Sequence, residues 1–218
     1  MSESLRVFLI RHGETGWSIT GQHTGLTDIA LTTHGEEQAL ALAPSLRTVR
    51  FSRVLSSPLL RARQTCELAG LGTDAHTEAD LVEWNYGDYE GKRTVDIQQV
   101  RPGWNVWRDG CPDGETPADI SNRADRLLRG LRAASDNVAL FSHGQFGAAL
   151  AARWIGLAVV QAQHLALGPA SLSILTHEPG HPTIPVISLW NAYSNLSVSL
   201  DGRPGIAEVL TGRRNPAL

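Results

Sequence analysis

Two histidines follow apolar runs and precede glycines: His12 in "FLIRHGET" and His143 in "ALFSHGQF". Arg11 adjoins the first. Arg61 lies in "LSSPLLRARQT", and Glu83 opens "EWNYGDYEG". Two histidines, two arginines and a carboxylate suit phosphoryl transfer without a metal. Arginine offers phosphate a planar, permanently charged fork. Fixed cations stabilise the charge that spreads over the equatorial oxygens in the transition state. A neutral imidazole can attack phosphorus, since its ordinary pKa is about 6.5. A carboxylic acid can protonate the departing oxygen, and its conjugate base can then activate water. The sequence contains no HExxH and no acidic calcium loop.

These residues need elements that bring them together. Leu5 to Ile10 reads as a strand buried on both faces. Gly13 to Ala30 reads as loop. "LTTHGEEQALALAPSL" predicts a helix capped by Thr33, with Glu36 three residues on. Val54 to Ser56 reads as a strand end. The helix after it has Ser57 as N-cap, Pro58 at its first position and Gly70 at its stop. Thr116 and Pro117 open an amphipathic helix, and "NVALFS" is a second buried strand leading into "HGQFGAALAARWIG". "ASLSILTHE", "PVISLW" and "NLSVSL" read as late strands, and Gly202 to Leu218 as a loose tail. Alternating strands and helices predict a single α/β domain over residues 1–218: a three-layer sandwich whose mostly parallel, mixed sheet is flanked by helices. An aromatic, glycine-rich insertion at about 84–115 is expected to form a lid with short helices. Sites in such sheets collect at the carboxyl ends of strands, where both histidines fall.

The chain has 218 residues and a net charge of −3, which points to neither a nucleic-acid nor a membrane partner. Cys66 and Cys111 are too few for a disulfide scaffold or a zinc site and read as reduced thiols. The N-terminal apolar run is too short for a signal or a span. The expectation is a soluble cytoplasmic protein that needs no cofactor and acts on a small phosphorylated substrate; its oligomeric state is left open.

"RHGET", "RARQT", "ExxYGxxEG" and "SHG", in that order over roughly Val7 to Val198, resemble the histidine phosphatase superfamily, the phosphoglycerate mutase-like fold. The resemblance implies that His12 is the nucleophile and becomes phosphohistidine. It implies that Arg11, Arg61 and His143 bind the transferring group and that Glu83 is the proton donor and later the base. Ser18, Thr24, Gly25 and Gln145 fall where such proteins meet substrate, with Ser18 standing where many relatives carry asparagine.

The same intermediate serves a phosphatase or a mutase. The cofactor-dependent mutases would place an arginine after the glutamate and two adjacent arginines in the insertion. Here Trp84 follows Glu83, and Asp109 follows Arg108. "GQHTGLTD", "EWNYGDYEG" and "WNVWRDGCPDGET" are instead similar to the branch containing sedoheptulose-1,7-bisphosphatase and related sugar phosphatases. That likeness implies a hydroxyl-rich substrate meeting Trp17, Trp84 and Tyr86, with Arg108 at a distal phosphate. The alternatives are a phosphoglycerate mutase and a non-catalytic phospholigand-binding module. His23 either touches substrate or fills the loop. Arg63 points away from Arg61 on a helix, Glu14 tunes the loop, and Glu90 and Glu115 shape their neighbours.

Overall fold

The computed structural model describes residues 5–132 and 136–193. Six strands form one sheet: β1 (Arg6–Arg11), β2 (Arg53–Ser56), β3 (Ala75–Thr77), β4 (Asn137–Ser142), β5 (Leu172–Glu178) and β6 (His181–Ala192). Their order is β3-β2-β4-β1-β5-β6. The first four are mutually parallel, and β5 and β6 are antiparallel additions at one side.

Side chains alternate across a strand, so β1 feeds two cores. Val7 and Leu9 join one apolar cluster with Leu127 and Leu128 of α6 (Pro117–Leu131) and Leu150 of α7 (Gly144–Trp154). Phe8 and Ile10 join another with Leu42 and Leu46 of α2 (Thr33–Leu46) and Cys66 of α3 (Leu60–Leu68). The result is the expected three-layer α/β arrangement. The 84–115 segment carries α4 (Thr94–Val100) and α5 (Val106–Asp109), and Tyr89, Ile97, Trp104 and Val106 anchor it in the first core.

Several boundaries differ from the sequence reading. The supposed loop after β1 contains α1 (Gly16–Thr20), closed by a reciprocal Thr15–Ser18 capping box. The cap of α2 is Thr32, not Thr33: the Thr32 hydroxyl accepts the Gly35 N–H. Neither Ser57 nor Pro58 opens α3. Its N-cap is Leu59, without a side-chain bond, because Asp28 reaches across from the loop after α1 to accept the Leu60 N–H at 2.6 Å. β5 starts at Leu172 because Ala170 adopts a left-handed φ of 51°. The proposed strand 195–200 and tail 202–218 lie outside the described residues. Thr116 and Pro117 open α6 as expected. Among the described residues no helix is long and apolar enough to cross a membrane.

Candidate active site

Parallel neighbours end at the same rim of a sheet, and β2, β4 and β1 are parallel neighbours. The register pairs Arg11 with Ser142 and Ser56 with Phe141. The next residue of each chain is therefore delivered side by side: Ser57, His143 and His12. The imidazoles of His12 and His143 lie 5.2 Å apart between centroids. Gly13 follows because the chain must pass close to α2: a Cβ there would meet the Gly35 carbonyl oxygen at 2.4 Å.

Hydrogen bonds fix both tautomers. A carbonyl can only accept, so the His12 Nδ1 that lies 2.7 Å from the Gly13 carbonyl oxygen carries the proton. The lone pair of His12 then resides on Nε2. A guanidinium can only donate, so His143 Nδ1 accepts from Arg61 Nε at 3.2 Å. His143 is protonated on Nε2, which donates to Ser57 Oγ at 2.8 Å. Burial holds the pKa of both rings well below the ordinary histidine value. For His12 the nearby Arg11 and Arg61 charges add to that, and for His143 the Arg61 charge does. Both rings are neutral at physiological pH.

Arg61 is fully buried on the first turn of α3. Besides His143 it bonds the carbonyl oxygens of Thr24 (3.1 Å), Gly25 (2.9 Å) and Thr27 (3.0 Å). It clamps the loop before α2 and orients His143. Arg11 donates through Nη1 to the Leu167 carbonyl, and its Nε is buried without a partner. Desolvation lowers the pKa of both guanidiniums, opposed chiefly by Glu83.

Glu83 follows a one-turn helix (Ala79–Leu81) that Ser142 Oγ tethers to the end of β4 through the Leu81 carbonyl, at 2.8 Å. Its carboxylate accepts three backbone N–H bonds: Trp84 at 2.9 Å, Gln145 at 3.0 Å and Phe146 at 2.8 Å. The last two are first-turn donors at the N-terminus of α7, which have no acceptor within the helix, a favourable seat for an anion.

A cavity of about 260 Å³ joins Arg11, His12 and Glu83. Ser18, Thr24, Tyr86 and Gln145, assigned to the substrate from the sequence, line it, as do Trp17 and His23. Thr15, Gln22 and Thr94 are lining residues that the sequence reading missed; their only signal was a polar side chain near a motif. A second cavity of about 260 Å³ adjoins it, sharing Arg11 and Gln145 and walled by Trp107, Leu165 and Leu167. His143 and Arg61 stand behind His12 and do not line the cavity themselves. Gly25 is also set back; its N–H bonds Glu90 Oε1 at 2.8 Å.

Two residues expected at the substrate do not line either cavity. Trp84 is buried in the core; its indole donates to the Glu115 carbonyl at 3.0 Å and its ring meets Trp107 edge-on. Arg108 lies outside both cavities, exposed and bonded to Asp109 at 2.9 Å and to the Gly103 carbonyl at 2.6 Å. Its neighbouring acid captures it. Ser57, taken as a helix cap, is the acceptor for His143. Arg123 was overlooked, although a lone arginine among the apolar positions of α6 was a visible signal. Glu14 and Glu90 shape loops as expected: Glu14 accepts from Thr32 Oγ1, and Glu90 from the Gly25 and Thr27 N–H groups. Both cysteines are buried free thiols, pushed up to about 12 by burial. Among the described residues no cluster of three or more His, Cys, Asp or Glu could hold a metal ion.

The family model described as "Histidine phosphatase superfamily (branch 1)" matches residues 7–191. An acid phosphatase of Mycobacterium tuberculosis is 39% identical over 84% of this chain and 92% of its own length. A sedoheptulose 1,7-bisphosphatase of Saccharomyces cerevisiae is 36% identical over 71% of this chain and 69% of its own. The solved structure of a Mycobacterium tuberculosis open reading frame superposes with a TM-score of 0.79 at 35% identity, covering 87% of this chain and 98% of the other.

Proposed function

Because the chain belongs to the histidine phosphatase superfamily, we propose that it hydrolyses phosphate monoesters through a phosphohistidine at His12. The observation that carries this is the bond from His12 Nδ1 to the Gly13 carbonyl. It leaves Nε2 as the basic nitrogen of a neutral, buried ring in a cavity shared with Arg11 and Glu83. In the first step the Nε2 lone pair bonds to phosphorus and the P–O bond to the leaving group breaks. Glu83 gives its proton to that oxygen. The ring becomes cationic as it is phosphorylated, and the Gly13 carbonyl accepts from its Nδ1–H. In the second step water attacks phosphorus, the Glu83 carboxylate takes a water proton, and the N–P pair returns to Nε2. Arg11 and Arg61 oppose the negative charge of the phosphoryl group. The buried, unpartnered Nε of Arg11 fits an anion, since such a donor is costly to leave unmatched.

The leaving-group wall is made of hydroxyls and amides (Thr15, Ser18, Gln22, Thr24, Thr94, Gln145) beside Trp17, His23 and Tyr86. That wall fits a polyhydroxylated leaving group, so sugar phosphates are the substrate class. The name of the yeast relative points the same way. Two buried free thiols fit a reducing compartment such as the cytoplasm.

Phosphate release from p-nitrophenyl phosphate and from a panel of sugar mono- and bisphosphates tests the proposal. Release should vanish in His12→Ala, and acid quenching, which hydrolyses the N–P bond, should be avoided while the phosphohistidine is trapped and mapped to residue 12. Undiminished release in His12→Ala, or isomerisation of 3-phosphoglycerate without phosphate release, would overturn it.

A further inference from the structure

Arg123 sits on the buried face of α6, flanked by Ile120, Ala124 and Leu127. A guanidinium is expensive to bury unless its donors are satisfied. All five are. Nε donates to Glu115 Oε1 at 2.9 Å, and Nη2 to Glu115 Oε2 at 2.8 Å. Nη1 donates to the carbonyl oxygens of Asp80 (2.8 Å) and Val82 (2.7 Å), and Nη2 also to that of Glu83 (3.1 Å). The guanidinium carbon lies 4.1 Å from the ring centre of Phe146, whose own N–H holds Glu83 Oε1.

Glu115, the acid that Arg123 holds, grips the chain on the far side of Glu83. Its Oε2 accepts the Asn85 N–H at 2.9 Å, and its carbonyl accepts the Trp84 indole. The main chain is thus fixed before, at and after the acid. From this we infer that Arg123, paired with Glu115, is a positioning residue that aims the Glu83 carboxyl into the cavity. The inference rests on the reading of Glu83 as proton donor. Arg126 provides the contrast. It makes a two-point pair with Asp80 at 2.8 and 2.6 Å on the exposed side of the same helix, and no bond of it reaches Glu83.

The discriminating quantity is leaving-group dependence. Hydrolysis of the phosphoenzyme is common to all substrates, so kcat/KM, which ends at phosphoryl transfer, is the value to compare. p-Nitrophenolate departs with little help from an acid; a sugar alkoxide needs the proton. General acids contribute about 10²–10⁴-fold. Arg123→Lys and Glu115→Gln should therefore each lower kcat/KM at least about tenfold more for a sugar phosphate than for p-nitrophenyl phosphate. Combined with Glu83→Gln, either should add nothing further for the sugar phosphate. Arg126→Gln should lower both substrates equally or neither. Equal losses for both substrates, or losses that multiply with Glu83→Gln, overturn the positioning role. Should Arg123→Lys fail to fold, as judged by thermal unfolding, Glu115→Gln decides the matter. Loss of activity in His12→Ala alongside equal substrate losses would reject this inference alone and leave the phosphohistidine reading standing.

Discussion

Replacing His23 with glutamine should flatten the acid sensitivity of the fold. His23 is buried and stacks on Tyr86 at 4.5 Å, and its Nε2 lies 3.1 Å from Thr94 Oγ1. Burial pulls its pKa from 6.5 down to about 4. The unfolded chain, with an ordinary histidine, binds the proton first as the pH falls. Stability therefore declines from about pH 6.5 downward and stops declining through this residue near pH 4. At 1.36 kcal/mol per unit of pKa difference, the full penalty is about 3 kcal/mol, of which about 2 kcal/mol has accrued by pH 5. His12 and His143 add to the same slope, but they do so equally in wild type and variant. Glutamine keeps a polar group opposite Thr94 and cannot titrate. Denaturant unfolding at about pH 7.5 and about pH 5 reads the difference. The wild type should lose about 2 kcal/mol more than His23→Gln between the two conditions. Identical losses would show that His23 is solvated, or charged, in the folded protein, and the desolvation argument would fail.

Other substitutions test the remaining links. Gly25→Ala would place a Cβ 2.5 Å from the Trp84 carbonyl oxygen and 2.6 Å from Glu90 Oε2. It should cost about 1–3 kcal/mol in denaturant unfolding and lower kcat by shifting the loop that Arg61 clamps; wild-type values for both would refute the packing. Ser57→Ala strips the buried His143 Nε2–H of its acceptor, which should cost about 1–3 kcal/mol and reduce turnover, and a neutral melt would refute the contribution of that bond. Arg108→Ala should leave KM for a sugar bisphosphate unchanged, because Asp109 and the Gly103 carbonyl already hold that side chain; a clear rise in KM would return Arg108 to the substrate.

What could be read from the sequence was mostly what depends on period and termination. β1 and β4 are continuous apolar runs, and their ends put His12 and His143 on one rim because parallel neighbours finish together. Thr116–Pro117 was legible because cap and first-turn proline are adjacent in the chain. The failures share a different cause. α3 starts at Leu60 because Asp28, distant in sequence, accepts its first N–H. Trp84 and Trp17 have the same side chain, yet one is buried against Trp107 and the other lines the cavity. Residue type alone does not decide that. Arg108 and Arg123 look alike in sequence, but the first is captured by its neighbour while the second finds five acceptors contributed by four residues far from α6 or ahead of it. Partners brought by tertiary packing leave no local pattern.

The N-terminus of α7 bears on how Glu83 and the cations would share the work under the proposed mechanism. A helix start of this kind, directly after His143 on the rim beside His12, is a ready seat for phosphate. Here the N–H groups of Gln145 and Phe146 are already taken by the Glu83 carboxylate. An incoming phosphate must either displace the acid or be held by other donors. Displacement would remove the group that, on the proposed mechanism, protonates the leaving oxygen, so on that reading the charge falls to Arg11, whose Nε is buried and has no partner. The same bonds keep the carboxyl on one side of the cavity while Arg123 fixes its main chain from behind. On the proposed mechanism, acid and phosphate are thereby assigned separate donors, and the acid need not move to reach the leaving oxygen.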